Sequence, residues 1–321
     1  MKKFISAWTI ATVLATVAGL ATAPLGVPNL KHEHAGGVFR SLHHRKQCYL
    51  DGPESNGTSQ GEYRTIDGVD LYISHPPQSF SKSSSPAGAE AEALRPKAAI
   101  IYLTDIFGLQ LLNNRLLADA FASANYLTLL PDLFRGDPVP ANALSDPDSN
   151  FNLTAWRLRH PESEIESIIT RTIQTTMDEF GIAPEKIGAV GYCFGGKYVA
   201  RFLSSSSSSS SSSDNASTSP AFAAGFTAHP SNTLPAEWSA ISHPISIAFG
   251  ALDESSTPEN RSNIEKIFVQ QNTTFQTNLY ADAEHGFAVR TDLTDRKKRF
   301  AQESAYLQAV RWLDEWVKGD E

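Results

Sequence analysis

Lys186-Ile187-Gly188-Ala189-Val190-Gly191-Tyr192-Cys193-Phe194-Gly195-Gly196 is the stretch that decides how this chain folds. Residues 186–191 read as an apolar strand, and the glycine pair that closes the stretch opens a helix. Between them lies a Gly-x-nucleophile-x-Gly turn, with Cys193 in the nucleophile position and Gly191 and Gly195 two places to either side. A strand-to-helix turn this sharp brings those flanking positions against their neighbours, so side chains there would clash. The helix N-terminus that follows favours an anion, which for a sulfur at that place means the thiolate. On its own the stretch also fits a buried structural cysteine beside a Gly-rich turn.

Outward from this point strands and helices alternate. Residues 63–66 and 69–73 flank Asp67-Gly68, a pair that suits a type I′ hairpin. Residues 97–103 form a continuous apolar run, as in a strand buried on both faces, and residues 126–130 read as the next strand. Further strands are expected at 222–227, 244–250 and 275–280. Helical spacing covers about 114–123, 258–270 and 295–318. It also links Ile165, Ile168, Ile169, Thr172, Ile173, Thr176, Met177 and Phe180, ahead of a stop at Gly181. Such alternation predicts an α/β class, with a mainly parallel central sheet and helices on both faces. Active sites of such sheets lie beyond the carboxyl ends of the strands. Two further residues stand at such ends: Asp253, closing the strand at 244–250, and His285, just past the last strand. Nucleophile, acid, histidine is the chain order of an α/β-hydrolase.

With these residues in place, the sequence resembles the dienelactone hydrolase family, particularly its fungal members. The matching segments are Tyr102-Leu103-Thr104-Asp105-Ile106-Phe107-Gly108, Leu117-Ala118-Asp119-Ala120-Phe121-Ala122 and Leu130-Pro131-Asp132-Leu133-Phe134. To these are added the Cys193 turn, Ala228-His229-Pro230-Ser231, and His285-Gly286-Phe287-Ala288-Val289-Arg290. The similarity spans roughly residues 48–318. It implies that Asp105 stands where bacterial members have a glutamate that contacts the resting thiol, although one methylene shorter. It implies an oxyanion hole made by the backbone N–H groups of Ile106 and Phe194. It also implies arginines that hold an anionic substrate, for which Arg135 and Arg290 are the candidates. His229 would either line the pocket or be a structural histidine.

The chain has 321 residues, of which 41% are hydrophobic and 19% charged, and a net charge of −8. That length can bury a substantial core. The acidic balance argues against a nucleic-acid partner, which calls for a basic field. Two cysteines, Cys48 and Cys193, are too few for a disulfide scaffold or a cysteine-based zinc module. Lys2 and Lys3 precede an apolar run, so residues 1–23 read as a signal peptide, cleaved after Ala21 or Ala23, or as a signal anchor. The sequons at Asn56, Asn152, Asn215 and Asn272 are compatible with a secretory route, the alternative being a cytoplasmic protein. Residues 24–61 read as a flexible leader. Its histidines, His32, His34, His43 and His44, lack the spacing of a metal site. The hydrolase domain is expected over 62–319, with a second flexible stretch at 79–95 and a Ser-rich insertion at 204–219. Residues 136–160, with Trp156, Arg157 and Arg159, read as part of a cap.

The resulting expectation is a lactone or ester hydrolase working through Cys193, Asp253 and His285, without metal or organic cofactor. Its partner would be a small-molecule substrate. Membrane contact would arise only if the leader is retained, and the protein would be a monomer or homodimer. Alternatives are an ester or thioester hydrolase of a secondary-metabolite pathway and a non-catalytic binding protein on a hydrolase scaffold. A structural role, with Cys193 paired to Cys48, is a third.

Overall fold

The computed structural model describes residues 57–77, 96–141, 143, 149–204 and 222–319. The readings of residues 1–23, of nearly all of 24–61 with Cys48 and its histidines, of 79–95 and of the serine run beyond Ser204 lie outside the described residues.

Eight strands form one sheet: β1 (Glu62–Ile66), β2 (Val69–Ser74), β3 (Ala99–Leu103), β4 (Leu127–Pro131), β5 (Ile187–Tyr192), β6 (Gly225–Ala228), β7 (Ile245–Gly250) and β8 (Phe275–Tyr280). Their spatial order is β1-β2-β4-β3-β5-β6-β7-β8. The first two pairings, β1 with β2 and β2 with β4, are antiparallel, and all others are parallel. This is the α/β-hydrolase fold. The hairpin turns at Asp67 and Gly68, with φ of 48° and 69°, both positive as a type I′ turn requires. β3 to β7 are buried at every position, which is why they read as unbroken apolar runs. The edge strands β1 and β8 are partly exposed and carry Arg64, Gln276 and Asn278.

The helices are α1 (Leu112–Ser123), α2 (Leu153–Arg159), α3 (Glu162–Asp178), α4 (Phe194–Phe202), α5 (Pro235–Ser239), α6 (Pro258–Gln271) and α7 (Arg296–Leu313). Successive strand residues alternate between two cores. On one face Ile101, Leu129, Ala189 and Ile247 meet Ile165 and Ile169 of α3, Tyr198 of α4, Trp238 of α5 and Phe268 of α6. On the other, Tyr102, Val190 and Phe226 meet Phe121 of α1 and the small-residue row Ala301, Ala305 and Ala309 of α7. Three features differ from the sequence reading. β6 starts at Gly225, and Phe222 N–H donates to Phe202 O at the end of α4. α7 gives way after Leu313 to a π-helical turn, Asp314–Lys318. Trp156, expected in a cap, is fully buried in α2, a helix that starts where Asn152 accepts from Ala155 N–H.

The strand order places the site. From β3 the chain moves to β4 on one side, then crosses back to β5 and proceeds through β8 on the other. The crevice at such a reversal is where open α/β sheets bind ligands. The register pairs Leu103 of β3 with Gly191 of β5, so Asp105 and Cys193 follow at the same edge, two residues further along each chain.

Candidate active site

Cys193 sits between β5 and α4 with φ 52° and ψ −108°, a conformation that an L-residue adopts only under constraint. The constraint is visible. Cys193 N–H donates to Ala228 O at 3.2 Å, and Gly195 N–H donates to Thr104 O at 3.1 Å. A Cβ on Gly195 would lie 2.1 Å from Leu103 O, and one on Gly191 2.7 Å from Gly195 O. The two flanking glycines thus allow α4 to press against the carboxyl ends of β3 and β5, which holds the cysteine at the tip of the turn. Cys193 is a free thiol and nearly buried.

His285 Nε2 is 3.0 Å from Cys193 Sγ, and His285 Nδ1 is 3.0 Å from Asp253 Oδ1. The Asp253 side chain is fully buried, and the loop after β7 fixes it, since Ser255 N–H donates to the same oxygen at 2.8 Å. The imidazole remains 29% exposed. Burial pulls the His285 pKa down, but its hydrogen bonds to Asp253 and Cys193, with their charge, outweigh this and lift it to about 10. The arrangement therefore holds a proton on His285, between a carboxylate and the sulfur.

The N–H groups of Ile106 and Phe194 have no hydrogen-bond partner among the described residues. Phe194 is the first residue of α4, where an N–H has no intrahelical acceptor. Ile106 lies in a turn closed by Gly108 N–H to Asp105 O. Around them stands an aromatic cluster. The rings of Phe134 and Phe194 are 5.4 Å apart, and those of Phe134 and Trp156 are 5.0 Å apart.

Asp105, Arg290 and Arg135 are placed differently from the expectation. Asp105 is not a partner of the sulfur, whose hydrogen bonds among the described residues go to His285 and Ser231. Instead its Oδ2 accepts from Arg290 Nε at 3.1 Å, while Oδ1 accepts from Asn114 Nδ2 and Phe107 N–H. Burial raises the Asp105 pKa, against the opposing pull of Arg290. Arg290 is also 4.2 Å above the Phe107 ring and one-third exposed, so its charge is already committed to Asp105. Arg135, at φ 48°, pairs with Glu164 of α3, and none of its contacts is with Cys193 or His285. His229 is fully buried and presents no surface to a ligand. Its ring meets that of His285 edge-on at 5.2 Å, and burial, then His285 and Arg290, keep its pKa low and the ring neutral. Ser231 is the neighbour that sequence reasoning missed. Its Oγ lies 3.4 Å from Cys193 Sγ, and only its place in the segment that closes β6 pointed to it. Among the described residues no group of three or more His, Cys, Asp or Glu side chains is placed to hold a metal ion, and no helix is long and apolar enough to cross a membrane.

The model of the dienelactone hydrolase family matches residues 87–317. The chain belongs to the dienelactone hydrolase family. It is accordingly an enzyme of the ester and lactone hydrolase class. Hydrolase pyvD of Aspergillus violaceofuscus is 36% identical over 272 residues, covering 85% of this chain and 97% of that one. Dienlactone hydrolase 1 of Gibberella moniliformis is 30% identical over 84% of this chain and 93% of its own. A crystal structure of a Klebsiella pneumoniae protein superposes with a TM-score of 0.59 at 14% identity, covering 80% of this chain and 99% of that one, a likeness of fold.

Proposed function

We propose that this hydrolase cleaves a small, dienelactone-like lactone or ester through Cys193, with His285 as acid and base and Asp253 as its orienting partner. The observation that carries the reading is the unbroken line Cys193–His285–Asp253 at two 3.0 Å contacts, with the proton favoured on the imidazole. The sulfur electron pair attacks the acyl carbon, and the carbonyl π pair moves to oxygen. The amides of Ile106 and Phe194, free of other acceptors among the described residues, are the donors for that oxyanion. Collapse breaks the C–O bond, and His285 gives its proton to the departing oxygen. Water then adds to the acyl-thioenzyme, losing a proton to His285, and the sulfur leaves with its electron pair. A thiolate expels an enolate readily and an amide poorly, which favours lactones and enol esters over peptides.

The test is hydrolysis of a dienelactone and of p-nitrophenyl acetate by the wild type beside Cys193→Ala. The variant is expected to lose at least about a thousandfold in kcat while staying folded. Retained hydrolysis in Cys193→Ala would refute the cysteine mechanism.

A further inference from the structure

The Cys193 sulfur has a second partner that plays no part in the scheme above. Ser231 Oγ lies 3.4 Å from Sγ, and among the described residues that sulfur is the hydroxyl's one hydrogen-bond partner. The backbone fixes the contact. Ser231 N–H donates to Cys193 O at 3.1 Å, and Ser256 Oγ donates to Pro230 O at 3.4 Å. The segment after β6 is thereby tied both to the cysteine turn and to the loop that carries Asp253.

The direction of the bond follows from proton counting. A thiol has one proton, and the 3.0 Å contact to His285 Nε2 uses it. If that proton has moved to the imidazole, the sulfur is an acceptor only. In both states the hydroxyl must be the donor. Resting on the reading of Cys193 as nucleophile, we propose that Ser231 is a further catalytic residue, its hydroxyl donating to the Cys193 thiolate both before attack and when the sulfur leaves.

The consequence differs between the two half-reactions. When the Sγ–C bond forms, the sulfur gives up its charge and becomes a weak acceptor, so the serine hydrogen bond weakens. When the tetrahedral adduct of water and acyl-thioenzyme collapses, the Sγ–C electron pair returns to sulfur, and the hydroxyl is in place to stabilise it. The serine thus favours free enzyme over acyl-enzyme. Removing it slows deacylation and lets the acyl-enzyme accumulate.

Ser231→Ala, Ser231→Thr and Cys193→Ala should be compared with the wild type on p-nitrophenyl acetate, with melting temperatures and intact masses recorded. In Ser231→Ala we expect kcat and KM to fall together by about tenfold, the size of a lost hydrogen bond to a charged group, with kcat/KM far less changed. A burst of nitrophenol and an enzyme heavier by one acetyl group should accompany this. Ser231→Thr, which keeps the hydroxyl, should restore kcat. Wild-type turnover by Ser231→Ala with no acyl-enzyme, or equal losses in the Ala and Thr variants, would overturn the proposal, while an inactive Cys193→Ala left the nucleophile standing. Hydrolysis by Cys193→Ala would remove both.

Discussion

His285 is the residue on which the chemistry turns, because its proton sits between two acceptors. Its pKa is raised from 6.5 to about 10 by Asp253 and Cys193 acting against burial. The sign follows directly. The ring is charged through neutrality and loses its proton as pH rises through about 10. The stability linked to that charge is complete below 6.5 and declines from there up to about 10. The rate profile should therefore show no rise through 6.5 and a fall in kcat/KM near pH 10. An acid limb near 6.5 with a plateau above it would contradict the ion-pair reading. Cys193→Ala, lacking one of the partners, should move the His285 titration seen by NMR to lower pH. Cys193, Asp253 and His285 were legible in the sequence because each has a local mark: a glycine-flanked turn, or the end of an apolar strand. The Asp105–Arg290 pair joins loops 185 positions apart, and Ser231 acts from a segment that closes a different strand. Neither contact leaves a local pattern to read.

α4, which follows the nucleophile, is held by charge as well as by its apolar positions. Lys197 Nζ lies 2.6 Å from Glu162 Oε1 of α3 and 3.4 Å from Glu237 Oε1 of α5, and Arg201 contacts Glu162, Glu166 and Glu237. Glu162 is half-exposed, so that contact contributes little, although the hydrogen bond from Lys197 lowers its pKa. Its contribution is present above the unfolded value of 4.5 and is lost as pH falls through the lower folded one. The Lys197–Glu237 contact is the one that matters, since both side chains are only 10% exposed. Removing the lysine leaves a buried carboxylate with Arg201 and the Leu234 N–H as its partners. Lys197→Met should cost about 2 kcal/mol in urea unfolding, below the usual loss for a broken buried pair because Arg201 remains. Adding Glu237→Gln should recover part of it, a coupling that a double-mutant cycle reads directly. An unchanged midpoint in Lys197→Met would assign the hold on α4 to packing alone. The sequence reading had no access to this cluster, because helical periodicity reports apolar faces and is silent on which charges meet across them.

At the scale of the molecule, the sheet was legible because burial on both faces writes long apolar runs into β3, β5 and β7, while one edge was readable from the Asp67-Gly68 turn. The short helices α2 and α5 escaped, since five to seven residues are too few to show a period. The same map bears on the leader. Every group in the proposed reaction, from Ile106 to His285, follows the end of a strand of one sheet, and the first strand of that sheet begins at Glu62. Residues 1–23 precede all of it, and from their basic start and apolar run we propose that they address a membrane or a translocation route rather than a catalytic task. A chain beginning at residue 24 should keep the wild-type kcat, KM and melting temperature. Expression of the full chain in a secretory host should yield a mature N-terminus at Thr22 or Pro24 by intact mass. Loss of turnover on removing residues 1–23 would mean that the leader completes the site. Recovery of the uncleaved chain in the membrane fraction would make it an anchor, and the enzyme would then act at a lipid surface.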